Sequence, residues 1–127
     1  MRIKHLSGIL LLFFIVLCAF SSGAQETKAI LVQNHYYPKP GKEDEVYKWR
    51  LHASAVRDSL GLPKGRVLKK LTGNGGPYVI WECEYASLDA REKDVTRIDQ
   101  LSEFKKVQEH MGTLIEKFER YVWEIDN

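Results

Sequence analysis

The chain opens on a basic segment, Met1-Arg2-Ile3-Lys4-His5, and then runs apolar for 12 residues from Ile9 to Phe20 before reaching Ser22-Gly23-Ala24. Basic, apolar and small-residue segments in that order are the pattern of a secretory leader. The run falls short of the ~20 apolar residues that a membrane-spanning helix needs. Leu17 is bulky where a lipid-attachment motif around Cys18 wants a small residue. Residues 1–24 are therefore expected to be a signal peptide. The exported chain, a single domain over residues 25–127, is expected to start at Gln25 and to be periplasmic or secreted.

The pattern changes after Lys28. Ala29 to Tyr37 is rich in β-branched and aromatic residues and reads as a strand with apolar groups on both faces. Pro38-Lys39-Pro40-Gly41 ends it, since proline has no ladder donor and glycine frees the backbone. Over Glu43 to Leu60, Val46, Trp49, Ala53, Val56 and Leu60 recur at spacings of three and four, which predicts an amphipathic helix. Glu43, Asp44 and Glu45 lie in its first turn, where the helix dipole favours acids. Gly61-Leu62-Pro63 stops it. Strands are expected over Arg66 to Thr72 and Tyr78 to Tyr85, joined by the hairpin loop Gly73-Asn74-Gly75-Gly76-Pro77. No Gly-Lys-Ser/Thr follows that loop, so it is not a phosphate loop. Ser87 to Asp94 reads as a short helix capped by Ser87. A second main helix is expected from Asp99 to Lys117, with the stripe Leu101, Phe104, Val107, Met111, Leu114 and Phe118. Arg120 to Ile125 alternates as a final strand.

The main order is β-α-β-β-α-β. It predicts an α+β ferredoxin-like sandwich with both main helices on one side of an antiparallel sheet. The other face carries Tyr, Trp and His and calls for a cover.

Composition narrows the partners. The whole chain has 19 Lys and Arg against 17 Asp and Glu. The leader takes away Arg2 and Lys4 and no acid, so the exported chain is expected to be neutral. That argues against nucleic acid, and against an anionic membrane once the leader is gone. Only Cys83 survives cleavage, so no internal disulfide is available. His35, His52 and His110 share no short metal-binding spacing, and hydrogen-bonded neutral histidines are the default. His35, Glu82 or Glu84, and His110 form the one metal alternative, and it needs the fold to assemble it. Glu82 and Glu84 share a strand face and are expected to pair with Arg66, Lys70, Arg50 or Arg57. No motif asks for a cofactor.

Three segments carry a resemblance: Tyr37-Pro38-Lys39-Pro40-Gly41-Lys42 leading into the first helix, Val79-Ile80-Trp81-Glu82 on the third strand, and Ser102-Glu103-Phe104 opening the second main helix. The chain resembles the dimeric α+β barrel superfamily, antibiotic-biosynthesis-monooxygenase-like and NIPSNAP-like, from Ala29 to Ile125. The resemblance implies a homodimer whose sheets pack face to face, with a pocket between sheet and helices in each protomer. It also implies a small apolar or aromatic ligand and a cofactor-independent monooxygenase-like activity, with a non-enzymatic binding or assembly module as the alternative. Haem degradation ranks third. That group uses an asparagine, a tryptophan and a histidine. Asn34 and Trp81 fall on the first two positions, whereas the third is occupied by Gln108, with His110 two residues on. From these readings, Asn34 and His110 are the candidate catalytic residues, and Tyr36, His52 and Trp81 the candidate substrate-binding residues.

Overall fold

The computed structural model describes residues 28–126. The leader expected over residues 1–24 and its cleavage point lie outside the described residues. Seven elements follow: β1 (Ile30–Pro38), α1 (Glu43–Ser59), β2 (Arg66–Lys69), β3 (Val79–Tyr85), α2 (Leu88–Asp99), α3 (Ser102–Leu114) and β4 (Ile115–Glu124). The four strands form one sheet in the order β2-β3-β1-β4. Every neighbouring pair is antiparallel. All three helices stack on one face, which gives the expected ferredoxin-like α+β sandwich.

Strand alternation divides the sheet into two surfaces. Ile30, Val32, Asn34 and Tyr36 on β1, and Val79, Trp81, Cys83 and Tyr85 on β3, point to the helices and are buried. Val46 on α1 and Met111 and Leu114 on α3 pack against them. A second apolar cluster of Leu62, Ile98 and Phe104 closes the end of the helical layer. Cys83 is buried in the core, and burial pushes its thiol up, as befits a small apolar residue rather than a nucleophile.

Four elements depart from their expected lengths, the final strand among them, since it begins at Ile115 rather than Arg120. β2 ends at Lys69 rather than Thr72; the Lys70 N–H still bonds the Tyr78 carbonyl as a last rung, and the glycine-rich loop follows. The short helix capped by Ser87 continues to Asp99, and the Ser87 hydroxyl accepts the Ala90 N–H as an N-cap. The second main helix starts at Ser102 and ends at Leu114, with β4 following from Ile115 without a loop. Phe118 continues the helical spacing of Met111 and Leu114, yet it lies on β4 opposite Tyr36. The β1–β4 ladder, paired from Ile30 to Pro38, supplies more hydrogen bonds than one extra helical turn would.

Gly65 is the tightest backbone position. Its φ is +66°, and a Cβ there would stand 2.5 Å from Trp81 Nε1 and 2.6 Å from the Glu82 carbonyl oxygen. Gly61 has a similar φ of +70° with open space around it. Gly65→Ala is expected to cost about 2–4 kcal/mol, combining the left-handed penalty with overpacking, whereas Gly61→Ala costs only about 1 kcal/mol. Urea denaturation of the two variants checks this, and equal losses would contradict the close approach to Trp81.

Candidate functional site

A half-enclosed cavity of about 330 Å³ lies between the helical layer and the sheet. β1 and β3 form its floor through Asn34, Tyr36 and Trp81, and Phe104, Val107 and Met111 give it an apolar wall. Alternation puts the floor residues there. Asn34 and Tyr36 are two apart on β1, and Asn34 stands opposite Trp81 across the ladder.

Trp81 is 4 % exposed and donates its indole N–H to the Lys64 carbonyl at 2.9 Å. The guanidinium carbons of Arg50 and Arg57 each lie 4.9 Å from its ring centroid. Such cation–π contacts strengthen when desolvated. Both arginines come from α1, where positions 46, 50, 53 and 57 follow the helical repeat. They occupy the same buried stripe as Val46 and Ala53.

The two arginines have different surroundings. Arg57 donates through Nε to the Pro63 carbonyl at 2.6 Å, and through Nη2 to Asp94 Oδ2 at 2.5 Å and to the Tyr85 hydroxyl at 3.3 Å. Tyr85 in turn donates its O–H to the same Asp94 oxygen. The Arg57 and Asp94 side chains are 4 % and 6 % exposed. Burial pushes the Tyr85 phenol well above its ordinary range, and the bond to Asp94 pushes it further. Arg50 finds only two neutral hydroxyls, Tyr36 at 3.3 Å and Ser54 at 3.4 Å, and its Nε has no partner. Burial lowers its pKa. On the far rim Arg120 donates through Nε to Asn34 Oδ1 at 2.8 Å.

The cavity therefore gathers three of the five residues expected at a site: Asn34, Tyr36 and Trp81. His52 and His110 are placed elsewhere. Both are exposed on the outer surface of the helices, where they flank Trp49 at ring distances of 4.7 Å and 4.4 Å. This corrects the expectation that they share a pocket with Asn34. The cause is helical phase. His52 sits one residue before the buried Ala53, and His110 one before the buried Met111. Gln108, at the position where the resemblance puts a histidine, does line the cavity. No imidazole lines it, so its donor set does not fit the haem reading. His35 lies on the opposite face of the sheet, against Tyr121, which separates it from His110. Among the described residues no three His, Cys, Asp or Glu stand together as a metal site. Glu82 is paired as expected, accepting both Arg66 Nε at 2.8 Å and Gln33 Nε2 at 3.1 Å, while Glu84 is exposed.

Sequence reasoning missed Arg50, Arg57, Tyr85, Asp94 and Arg120 as cavity residues. The signal for the first two was their helical phase with Val46 and Ala53. No comparable signal marked Asp94 or Arg120.

No protein-family model matches the chain, and no curated protein matches it. Solved structures do resemble it. A NIPSNAP family protein from Agrobacterium tumefaciens superposes with a TM-score of 0.59 at 20 % identity, over 82 % of this chain and 91 % of that one. A dimeric protein of ferredoxin-like fold from Bacteroides fragilis gives 0.60 at 13 %, over 76 % and 96 %. A candidate antibiotic biosynthesis monooxygenase from Bacteroides thetaiotaomicron gives 0.54 at 12 %, over 79 % and 90 %. The chain has the fold of these α+β proteins. At such identities the likeness is one of fold alone.

Asp94→Asn leaves the Arg57 charge buried and unpaired and is expected to cost about 3–5 kcal/mol, against less than about 0.5 kcal/mol for Lys93→Ala, which breaks an exposed ion pair. A phenol whose pKa the fold raises contributes its stability in full below its ordinary value of 10.0 and loses it as pH rises through the raised value. Tyr85→Phe should therefore flatten the alkaline limb of the stability curve. Chemical denaturation across neutral and alkaline pH measures both effects, and an Asp94→Asn protein as stable as the parent would contradict the network.

Proposed function

We propose that this protein is exported, pairs with a second copy through the open face of its sheet, and binds a small aromatic or apolar molecule in the cavity between sheet and helices. The observation that carries this reading is the cavity itself, walled by Trp81, Tyr36 and Phe104 and framed by the few polar groups that would orient a ligand. An oxygenase of the cofactor-independent kind would use the same space, with a reducing aromatic substrate against Trp81. The side chains that line that space include Asn34, Tyr85 and Asp94 but not His110. An assembly module would leave the cavity empty.

Two further observations support the dimer. The Bacteroides fragilis neighbour is dimeric. On the open face of this chain Trp123 is 52 % exposed, stacked on Tyr121 with ring centroids 6.0 Å apart, and Leu68 is also exposed. Large exposed apolar side chains grouped on a sheet face mark an interaction surface. Export rests on the basic, apolar and small-residue order of residues 1–24. No helix among the described residues is long and apolar enough to cross a membrane.

Native mass spectrometry of the protein recovered after export tests the three parts together. The expected species is a dimer of chains starting at Gln25, carrying a discrete small mass. Trp123→Asp is expected to yield monomers, and an unchanged dimer would remove the open face from the reading. Trp81→Ala should weaken ligand binding and leave the dimer intact. Gly112 lines the cavity and a Cβ there would meet nothing within 4 Å, so Gly112→Leu should fill the space while favouring helix α3. Undiminished binding in that variant would show that the ligand sits elsewhere.

A further inference from the structure

Four arginines line the cavity, Arg50, Arg57, Arg91 and Arg120, against two carboxylates, Asp94 and Asp99. Only Arg57 is matched, by Asp94. Among the described residues no carboxylate lies within ion-pairing distance of Arg50, Arg91 or Arg120. The cavity therefore holds a positive surplus that its own walls do not neutralise.

Arg50 carries the surplus furthest inside. It is 5 % exposed, its two bonds are long and go to neutral hydroxyls, and its Nε is unpartnered. A buried guanidinium held this loosely is costly unless an anion completes it. Arg120 approaches the same place from β4, since its partner Asn34 sits two residues from Tyr36, the partner of Arg50. Burial lowers the Arg120 pKa and the nearby Arg91 charge lowers it further, with Asp99 offsetting part of the effect; an anion would relieve the repulsion. The matched pair stands at the other end of the cavity. Tyr85 is opposite Ile30 in the β1–β3 register, whereas Tyr36 is opposite Val79. A wholly apolar guest would strip water from these cations and return nothing.

We infer that the ligand of this cavity is an organic carboxylate with an aromatic or aliphatic body, its head held between Arg50 and Arg120 at the Asn34–Tyr36 end and its body lying along Phe104, Val107 and Met111. The inference rests on the small-molecule reading above and narrows it. A carboxylate suits the site because its two oxygens match the planar fork of a guanidinium. The apolar wall accounts for the rest of the molecule.

Isothermal titration of the exported protein with 2-naphthoate and with its neutral analogue 2-naphthamide tests the charge separately from the shape. Naphthoate is expected to bind at least about tenfold tighter, the scale of a hydrogen bond to a charged group. Arg120→Gln alters an exposed residue and should preserve the fold. It is expected to lower naphthoate affinity by about tenfold and leave naphthamide unchanged. Arg50→Met should do the same if it folds. Equal affinity for the two probes, or naphthoate binding that Arg120→Gln does not weaken, overturns the carboxylate and leaves the small-molecule reading standing. Failure of both probes to bind removes that reading and the inference with it.

Discussion

One guanidinium ties this fold together. Arg57 leaves α1 and bonds to the Pro63 carbonyl before β2, to Tyr85 on β3 and to Asp94 on α2. Three separate stretches of chain converge on one planar cation with five donors in a fixed fork. α2 buries only Asp94 and Ile98, so the ion pair is a main anchor of its place beside the apolar contacts of Ile98 and Ala90. Asp94 Oδ2 takes the bonds from both Arg57 and Tyr85, while its Oδ1 is buried without a partner. Removing one leaves a charge stranded in low dielectric, which is why such a network fixes position more strongly than it adds net stability.

The same cation also shapes the cavity. With Arg57 held at one end, Trp81 is pinned between the guanidinium and Gly65, its indole N–H taken by Lys64. The ring then stays upright as a floor instead of collapsing into the space above it. Arg50, seven residues earlier on α1, repeats the cation–π contact without a carboxylate partner. One helix thus supplies a structural arginine and an unsatisfied one two turns apart on a single stripe.

Sheet and helices were legible in the sequence because their apolar periods are clean. The strands alternate, and the main helix stripes repeat at three and four. The errors fall where residue type and position disagree. Leu114 to Phe118 keeps helical spacing, and only pairing with β1, a contact distant in sequence, turns it into strand. At the site, Asn34, Tyr36 and Trp81 were legible because alternation on β1 and β3 fixes which face they join. Arg50 and Arg57 share the phase of Val46 and Ala53, but their charge suggests Glu82 and Glu84 as partners, and those residues alternate with Trp81 onto the other face of the sheet. His52 and His110 attracted attention for their chemistry, and one residue of helical rotation, ~100°, places each outside the cavity.

Composition misled for a related reason. The chain carries 19 basic and 17 acidic residues, a balance that argues against partners drawn by bulk charge. It says nothing of how the charges are placed. Most carboxylates here are exposed, as in the acidic first turn of α1, while three unpaired arginines, Arg50 inside and Arg91 and Arg120 nearer solvent, line one cavity. A near-neutral protein can then hold a local field that water screens weakly, since a cation among Trp81, Phe104 and Tyr36 sits in a lower dielectric than one on the surface. Selectivity for a small anion needs only that local field. It is compatible with a total charge too small to attract a nucleic acid, because the ligand is read by one buried guanidinium, Arg50, and one at the cavity's edge, Arg120.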